Sequence, residues 1–150
     1  MNSNTIPAVV PVAEGLIDVS GAVASLIGSR CTGCGIHYFP QALSCRNPDC
    51  DRKVLEAAHI GREGRLYGWT LQAYRPPALF RMDDWEPYAL GLVELPEGLR
   101  VLSMLTGCSV DELHVDMALE LVVETLYVDD SGHDVLTYKY APAAKNGAVA

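Results

Sequence analysis

Four cysteines within twenty residues constrain this chain more than any other feature of its sequence. Cys31 and Cys34 form a C-x2-C pair, and Cys45 and Cys50 form a C-x4-C pair after a gap of ten residues. Two short loops of this kind can point four thiolates at one ion, and thiolates at about 2.3 Å satisfy the tetrahedral coordination of Zn²⁺. The spacing therefore predicts one structural zinc ion per chain, because four protein ligands leave no open position for water or substrate.

Two other uses of the cysteines stay open at this point, namely two disulfides or a rubredoxin-like iron site. Disulfides need an oxidising compartment, and the N-terminal segment MNSNTIPAVVPV lacks both the positive charge and the apolar run of a secretory signal peptide. No apolar stretch reaches 18 residues, so the sequence predicts no transmembrane helix. We therefore expect a soluble, cytoplasmic protein without membrane contact, in which the thiols hold zinc.

Charge is unevenly distributed along the 150 residues, whose formal net charge is −8. Residues 30–65 hold six basic and four acidic side chains, whereas residues 66–150 hold five basic and thirteen acidic ones. An acidic body repels the phosphate backbone of nucleic acid. We therefore expect no nucleic-acid partner, and a single-strand nucleic-acid-binding protein that stacks bases on Tyr67 and Trp69 is kept only as an alternative function.

The segment before the cysteines has the apolar spacing of a short amphipathic helix. Five apolar residues recur at intervals of three, four and one, namely Leu16, Val19, Val23, Leu26 and Ile27. Ser20 is a candidate cap for this helix. The sequence thus predicts a tail and helix over residues 1–28, followed by a zinc ribbon over residues 29–62.

After the cysteines, several runs of strand-forming residues are separated by Gly, Pro and Asp turns. Five runs begin at Gly64, Tyr88, Leu99, Ala118 and Asp134. The turn "PEG" joins the second and third runs as a hairpin, and "SVDELHVDM" before the fourth predicts a helical turn capped by Ser109. Five strands with such a turn before the fourth match the order of an OB-fold barrel. We expect a mainly β protein, with the barrel over residues 63–142 and a flexible tail over residues 143–150.

Four segments together resemble the acyl-CoA-associated zinc-ribbon/OB-fold family. They are "RCTGCGIHYFPQALSC", "GRLYGWTLQAYRPP", "PYALGLVELPEGLRVLSML" and "VDMALELVVE", and the resemblance extends over residues 15–142. The C-x4-C pair departs from the C-x2-C pair of many members, which leaves the shape of that loop open. The resemblance implies a non-catalytic accessory subunit in a hetero-oligomer with a thiolase-fold enzyme that acts on a CoA thioester. A hydratase or an aldolase is the alternative partner.

Basic residues near the ribbon are candidates for contact with CoA or with the partner, because CoA carries phosphate groups that favour Arg and Lys. The candidates are Arg52, Lys53, Arg62 and Arg65. The alternative is an ordinary solvated surface.

The loop between the first two barrel strands is rich in the apolar and aromatic side chains that anchor protein interfaces. It is predicted to dock on the partner through Leu79, Phe80, Met82 and Trp85. The alternative is a loop folded on its own barrel. Cys108, the remaining cysteine, is predicted to be a buried thiol, so we expect no catalytic residue in this chain.

Overall fold

The computed structural model describes residues 9–82 and 84–143. Within these residues, ten strands form two sheets, and the helical elements are two 3₁₀ turns at Ala78–Phe80 and Val110–Glu112. The strands are β1 (Val9–Pro11), β2 (Ile17–Asp18), β3 (Ser25–Cys31), β4 (His37–Tyr38), β5 (Leu55–Ile60), β6 (Glu63–Gln72), β7 (Tyr88–Glu94), β8 (Arg100–Leu105), β9 (Ala118–Val128) and β10 (Asp134–Pro142). The first eight residues of the predicted N-terminal tail, and residues 144–150 of the predicted C-terminal tail, lie outside the described part.

Strands β6 to β10 close into a five-stranded barrel in the order β6-β7-β8-β10-β9, and β9 returns to pair with β6. All neighbouring pairs are antiparallel except β8 and β10. The predicted OB-fold is confirmed, including the hairpin of β7 and β8. The predicted helical turn before the fourth barrel strand is the 3₁₀ turn Val110–Glu112, where the backbone N–H of Ser109 donates to Oε1 of Glu112 at 2.8 Å.

The predicted N-terminal helix is wrong, because Ile17–Asp18 and Ser25–Cys31 form strands β2 and β3, and residues 19–24 between them are not helical. β3 is the central strand of the ribbon sheet, with β5 along one side and β2 and β4 along the other. Leu26 is fully buried there, whereas Val23, which the helix would place beside it, is 57% exposed. The helical spacing combines Leu26 and Ile27 of β3 with Leu16, Val19 and Val23, which lie outside both strands, so the period of residues 16–27 does not belong to one element. Ser20 caps no helix and instead donates to Oδ1 of Asp18.

One hydrophobic core extends through the ribbon and the barrel. It joins Ile17, Leu26 and Ile60 of the ribbon strands to Leu66, Val93, Leu119 and Tyr140 of the barrel. The hydroxyl of Tyr140 donates to the carbonyl of Gly61 at 2.6 Å, and the ring of Phe39 meets Tyr138 edge-on at 5.8 Å between centroids. The ribbon strands are therefore packed against the barrel, and residues 61–62 alone separate β5 from β6.

The N-terminal strand β1 is an addition that the sequence did not predict. It pairs in parallel with the start of β10, where Val10 lies opposite Val135. The backbone N–H of Val12 extends this pairing by donating to the carbonyl of Leu136 at 2.7 Å. β1 therefore pairs with residues 134–136 of β10, which precede Lys139 and Tyr140, the residues of β10 that pair with β8.

Candidate metal centre

The four predicted metal ligands converge, although each pair belongs to a separate loop. Their Sγ atoms all lie within 4.8 Å of one another, and all four cysteines are free thiols. The Sγ atoms of Cys31 and Cys50 are 3.8 Å apart, and those of Cys34 and Cys45 are 3.6 Å apart. Four sulfurs bound tetrahedrally to Zn²⁺ at about 2.3 Å stand about 3.8 Å from one another. The cluster therefore has the size and the donor set of a tetrathiolate metal site.

Two glycines shape the loop that carries the first cysteine pair. Gly35 has a φ of 81°, a conformation that costs glycine little, and its N–H donates to the carbonyl of Cys31 at 2.7 Å. Gly33 passes close to the second loop, because a Cβ at this position would lie 2.1 Å from the carbonyl oxygen of Arg52. The turn at Gly35 and the close approach at Gly33 together bring Cys31 and Cys34 to the same side.

Asn47 organises the wider second loop. Its side-chain oxygen accepts from the N–H of Asp49 at 3.0 Å, and its carbonyl accepts from the N–H of Cys50 at 3.1 Å. Nζ of Lys53 also donates to that carbonyl. The N–H of Asn47 points back to Sγ of Cys45 at 3.4 Å. These local hydrogen bonds close the C-x4-C turn, whose shape the sequence left open.

Hydrogen bonds and burial act differently on the individual thiols. The backbone N–H of Cys34 lowers the pKa of the Cys31 thiol to about 6. The hydroxyl of Tyr38, 3.5 Å from Sγ of Cys45, lowers the pKa of that thiol. Burial raises the pKa of Cys50 to about 11. A cation among the sulfurs would offset the cost of burying several thiolates together.

Tyr38 is a residue of this site that sequence reasoning missed. Besides its bond to Cys45, its hydroxyl accepts the N–H of Arg46 at 2.8 Å, and the Arg46 guanidinium lies 5.0 Å from the ring centroid. The available signal was the aromatic residue in "HYFP" between the two cysteine pairs. An aromatic residue between the two cysteine pairs is close enough in sequence to pack against the two loops that carry the cysteines.

The four basic candidates fall into two groups. Arg52 and Lys53 are exposed on the chain that follows the second cysteine pair. Arg62 and Arg65 line a cavity of about 570 Å³ at the start of β6. Nη1 of Arg65 already donates to the carbonyl of Asp116 at 2.9 Å. The cavity is also lined by the carboxylates Glu63, Glu94 and Glu120. A role of these residues in binding CoA phosphates therefore stays a prediction, and one that the surrounding carboxylates weaken.

The predicted docking loop is partly folded on its own barrel. Phe80 lines a cavity of about 380 Å³ together with residues of four barrel strands. Leu79 is 49% exposed, whereas Met82 and Trp85 are half-buried. The guanidinium of Arg75 lies 6.0 Å from the centroid of the Trp85 ring. Leu79 is thus the most exposed of the four predicted docking residues, and docking through the loop stays a prediction.

Cys108 is half-buried beyond β8, and burial raises the pKa of its thiol, with Glu112 adding to the effect. A raised pKa is the opposite of what an activated nucleophile needs.

No helix among the described residues is both long enough and apolar enough to cross a membrane.

Comparison with known sequences shows similarity to one group of proteins. The family profile described as "ChsH2, C-terminal OB-fold domain" matches residues 57–124. A DUF35 domain-containing scaffold protein of Methanothermobacter thermautotrophicus is 33% identical over 118 residues, which cover 77% of this chain and 84% of the relative. The benzoylsuccinyl-CoA thiolase subunit BbsA of Thauera aromatica is 29% identical over 120 residues, which cover 80% of this chain and 78% of the relative.

Among solved structures, the chain is similar to one described as "Ltp2-ChsH2(DUF35) aldolase". The TM-score is 0.60 at 23% sequence identity, and the match covers 80% of this chain and 86% of that chain. At this identity the likeness supports the fold of ribbon and barrel.

Proposed function

This chain belongs to the DUF35 family, and we propose that it serves as a non-catalytic, zinc-binding accessory subunit of a thiolase-type complex that acts on a CoA thioester. The observation that carries the proposal is the similarity, over 80% of the chain, to BbsA, a subunit of benzoylsuccinyl-CoA thiolase. Relatives named as scaffold proteins support a role in assembly.

Zinc would be held by the four cysteines and would serve a structural purpose. A closed tetrahedral thiolate set leaves no position for substrate, so the ion supplies cohesion to the two loops and takes no part in the reaction. The buried part of this region is small, being limited to the cysteines with Tyr38 and Leu55 packed against them. Metal binding would therefore supply much of the free energy that orders the loops.

Cys108, the cysteine outside the four-cysteine cluster, does not have the properties of a thiolase nucleophile. A thiolase takes up the acyl group on a cysteine assisted by histidine, whereas Cys108 has a raised pKa. The acyl transfer would then take place on the partner. The task left to this chain is to hold the partner in its working assembly and to guide the CoA thioester, for which Arg62 and Arg65 are the candidates.

Co-expression with the thiolase-type protein whose gene lies nearest in the same genome tests the proposal. Size-exclusion chromatography should give a stable complex, metal analysis about one zinc per copy of this chain, and thiolysis should need both proteins. A chain that elutes alone and leaves thiolysis unchanged would contradict the thiolase partnership. The same assay with aldolase-type and hydratase-type proteins would then identify either alternative, and salt-sensitive retention on single-stranded DNA would identify the nucleic-acid alternative.

A double variant tests whether the two candidate arginines contribute to CoA binding. Arg62→Glu with Arg65→Glu should weaken CoA binding by the complex, whereas Arg30→Glu, a charge change on β3 away from the cavity, should not. Unchanged CoA affinity in the double variant would remove these arginines from the proposal and leave the accessory role standing.

A further inference from the structure

The cavity of about 380 Å³ beside Phe80 lies where β8 and β10 separate. These two strands pair over two residues each, beginning at Lys139 on β10. Nearer its start, β10 pairs with β1 instead, over residues 134–136. Residues 137–138 lie between the two pairings, and they line the cavity together with residues 102–104 of β8. The cavity therefore follows from the way in which the barrel splits, and we call it the split cavity.

Aromatic and apolar side chains line the split cavity. Three rings contribute to it, those of Phe80, Tyr88 and Tyr138. Leu90 and Met104, which lie opposite each other on β7 and β8, add aliphatic surface. The described residues around the cavity include no Lys, Arg, Asp, Glu or His. A charged group bound here would lose hydration without gaining an ionic partner, so the lining favours an uncharged molecule.

Thr137 brings a free hydroxyl to the split cavity. This residue is 1% exposed, yet its hydroxyl donates to no group among the described residues. The hydroxyls of Ser103 and Tyr138, in contrast, already donate to the carbonyls of Met104 and Leu102. Buried hydroxyls are usually hydrogen-bonded. Thr137 can therefore donate to an acceptor atom of a bound molecule.

The size and position of the split cavity also indicate a small-molecule site. An apolar cavity of about 150 Å³ binds benzene, so one of about 380 Å³ can hold a molecule about twice as large. The cavity adjoins the second and third barrel strands and the loop after the first, which is where OB-folds bind their ligands. Aromatic walls favour an aromatic ring, because such rings attract one another in edge-to-face and offset arrangements.

We infer that the split cavity binds an uncharged aromatic molecule with one carbonyl group. Its ring packs among Phe80, Tyr88 and Tyr138, and its carbonyl oxygen accepts from the hydroxyl of Thr137. The inference goes beyond the proposed function and does not depend on it, because every contact comes from this chain. A free aromatic ketone and the acyl end of an aromatic CoA thioester both present this chemistry.

Titration of the zinc-loaded chain with matched phenyl compounds, followed by saturation-transfer NMR, tests the inference. Benzylacetone is uncharged and has a carbonyl, butylbenzene lacks the carbonyl, and hydrocinnamate has a carboxylate in its place. Benzylacetone should bind saturably, butylbenzene about threefold more weakly and hydrocinnamate about tenfold more weakly. Absence of saturable binding by benzylacetone, or binding of hydrocinnamate as tight as that of benzylacetone, overturns the inference.

Hydrocinnamoyl-CoA distinguishes the two sources of the aromatic group. If it displaces benzylacetone at equal or lower concentration, the site takes the acyl end of a thioester. If it does not displace benzylacetone, the site takes a free molecule. Both results presuppose that benzylacetone binds, and both support the inference.

Replacing Thr137 by Val separates a contact with the ligand from a structural role. Valine keeps the shape of the side chain and removes the hydroxyl. Thr137→Val should weaken benzylacetone about fivefold and leave the affinity for butylbenzene unchanged. Thr70→Val, the same change at an exposed threonine of β6 outside the cavity, should alter neither affinity. Equal effects of Thr137→Val on the two ligands, or no effect on either, overturn the inference.

Replacing Phe80 by Ala tests the aromatic wall. Phe80→Ala should weaken both benzylacetone and butylbenzene at least about threefold. Leu79→Ala is the control, because Leu79 is the neighbouring residue, is 49% exposed and does not line the cavity. Zinc content and circular dichroism verify that each variant is folded. If Phe80→Ala binds both ligands like the unchanged chain, the inference is overturned.

The co-purified complex with the thiolase-type protein gives a further test, because a side chain of the partner could fill the same cavity. Retained binding of benzylacetone by the complex supports the inference. Loss of that binding on complex formation overturns it in favour of a partner side chain. Failure to form any complex contradicts the proposed function alone, since the titrations of the free chain still decide the inference.

Discussion

Replacing Tyr140 by Phe measures how strongly the ribbon is fastened to the barrel. Tyr140 is fully buried, and its hydroxyl is the donor to the carbonyl of Gly61, which lies at the junction of β5 and β6. Phenylalanine fills nearly the same space and keeps the apolar contacts of the ring. The substitution therefore removes one hydrogen bond and leaves the Gly61 carbonyl, inside the protein, without that donor.

An unsatisfied buried acceptor costs about 1–3 kcal/mol. We expect Tyr140→Phe to lower the free energy of unfolding by this amount. For a chain of this length each kcal/mol shifts the melting midpoint by about 2–4 °C, so the midpoint should fall by about 2–12 °C. Tyr138→Phe is the matched control, because its hydroxyl donates to the carbonyl of Leu102 at 3.1 Å where solvent can replace it. The control should lose less than about 1 kcal/mol.

Urea unfolding of the zinc-loaded chain, followed by circular dichroism and tryptophan fluorescence, gives both values with their denaturant slopes. Equal slopes would show that the two variants differ in stability and not in the compactness of the unfolded chain. The reasoning is refuted if Tyr140→Phe unfolds at the same urea concentration as the unchanged chain, or if Tyr138→Phe loses as much stability as Tyr140→Phe.

Three further predictions concern the ribbon. Cys45→Ser should reduce bound zinc from about one per chain to near zero, measured by plasma mass spectrometry, and retained stoichiometric zinc would contradict a four-cysteine site. Gly33→Ala should lower the zinc affinity at least tenfold, measured by competition with a chromophoric chelator, because the added Cβ would lie 2.1 Å from a carbonyl oxygen. Gly21→Ala is the control and should keep its zinc affinity, because the atom nearest to its added Cβ lies at 3.9 Å. Hydrogen bonds from Ser20 lower the pKa of Asp18 to about 2, so the stability that this carboxylate supplies is present above about pH 4 and is lost as the pH falls toward 2. The difference in melting temperature between Asp18→Asn and the unchanged chain should therefore shrink over that interval, and a constant difference would argue against the lowered pKa.

The clustering of the four cysteines and the barrel strands could be predicted because their signals are local. Cys31 and Cys34 belong to one short turn, and their spacing alone limits the positions of their sulfurs. The hairpin of β7 and β8 was readable from a three-residue turn between two apolar runs. The 3₁₀ turn after Ser109 likewise depends on a capping pattern four residues long.

The features that could not be predicted depend on contacts between distant parts of the chain. Leu26 is buried in a strand because Ile60 pairs with it from β5, and no property of residues 16–27 alone reveals this partner. The bulge in β6 is likewise not visible in the sequence, because one extra residue at Tyr67 puts Trp69 on the face of Leu66 instead of the opposite one. Both features arise where tertiary pairing overrides the local period.

Loss of the four cysteines in a descendant of this chain would not remove the ribbon strands from the core. Ile17, Leu26 and Ile60 pack with the barrel, whereas the cysteines form a separate small cluster around the two loops. The cysteines can thus be exchanged while β3 and β5 are retained, but deletion of the whole ribbon would expose the apolar residues of the barrel. The cysteine cluster and the coverage of the barrel can therefore evolve independently, although one sheet carries both.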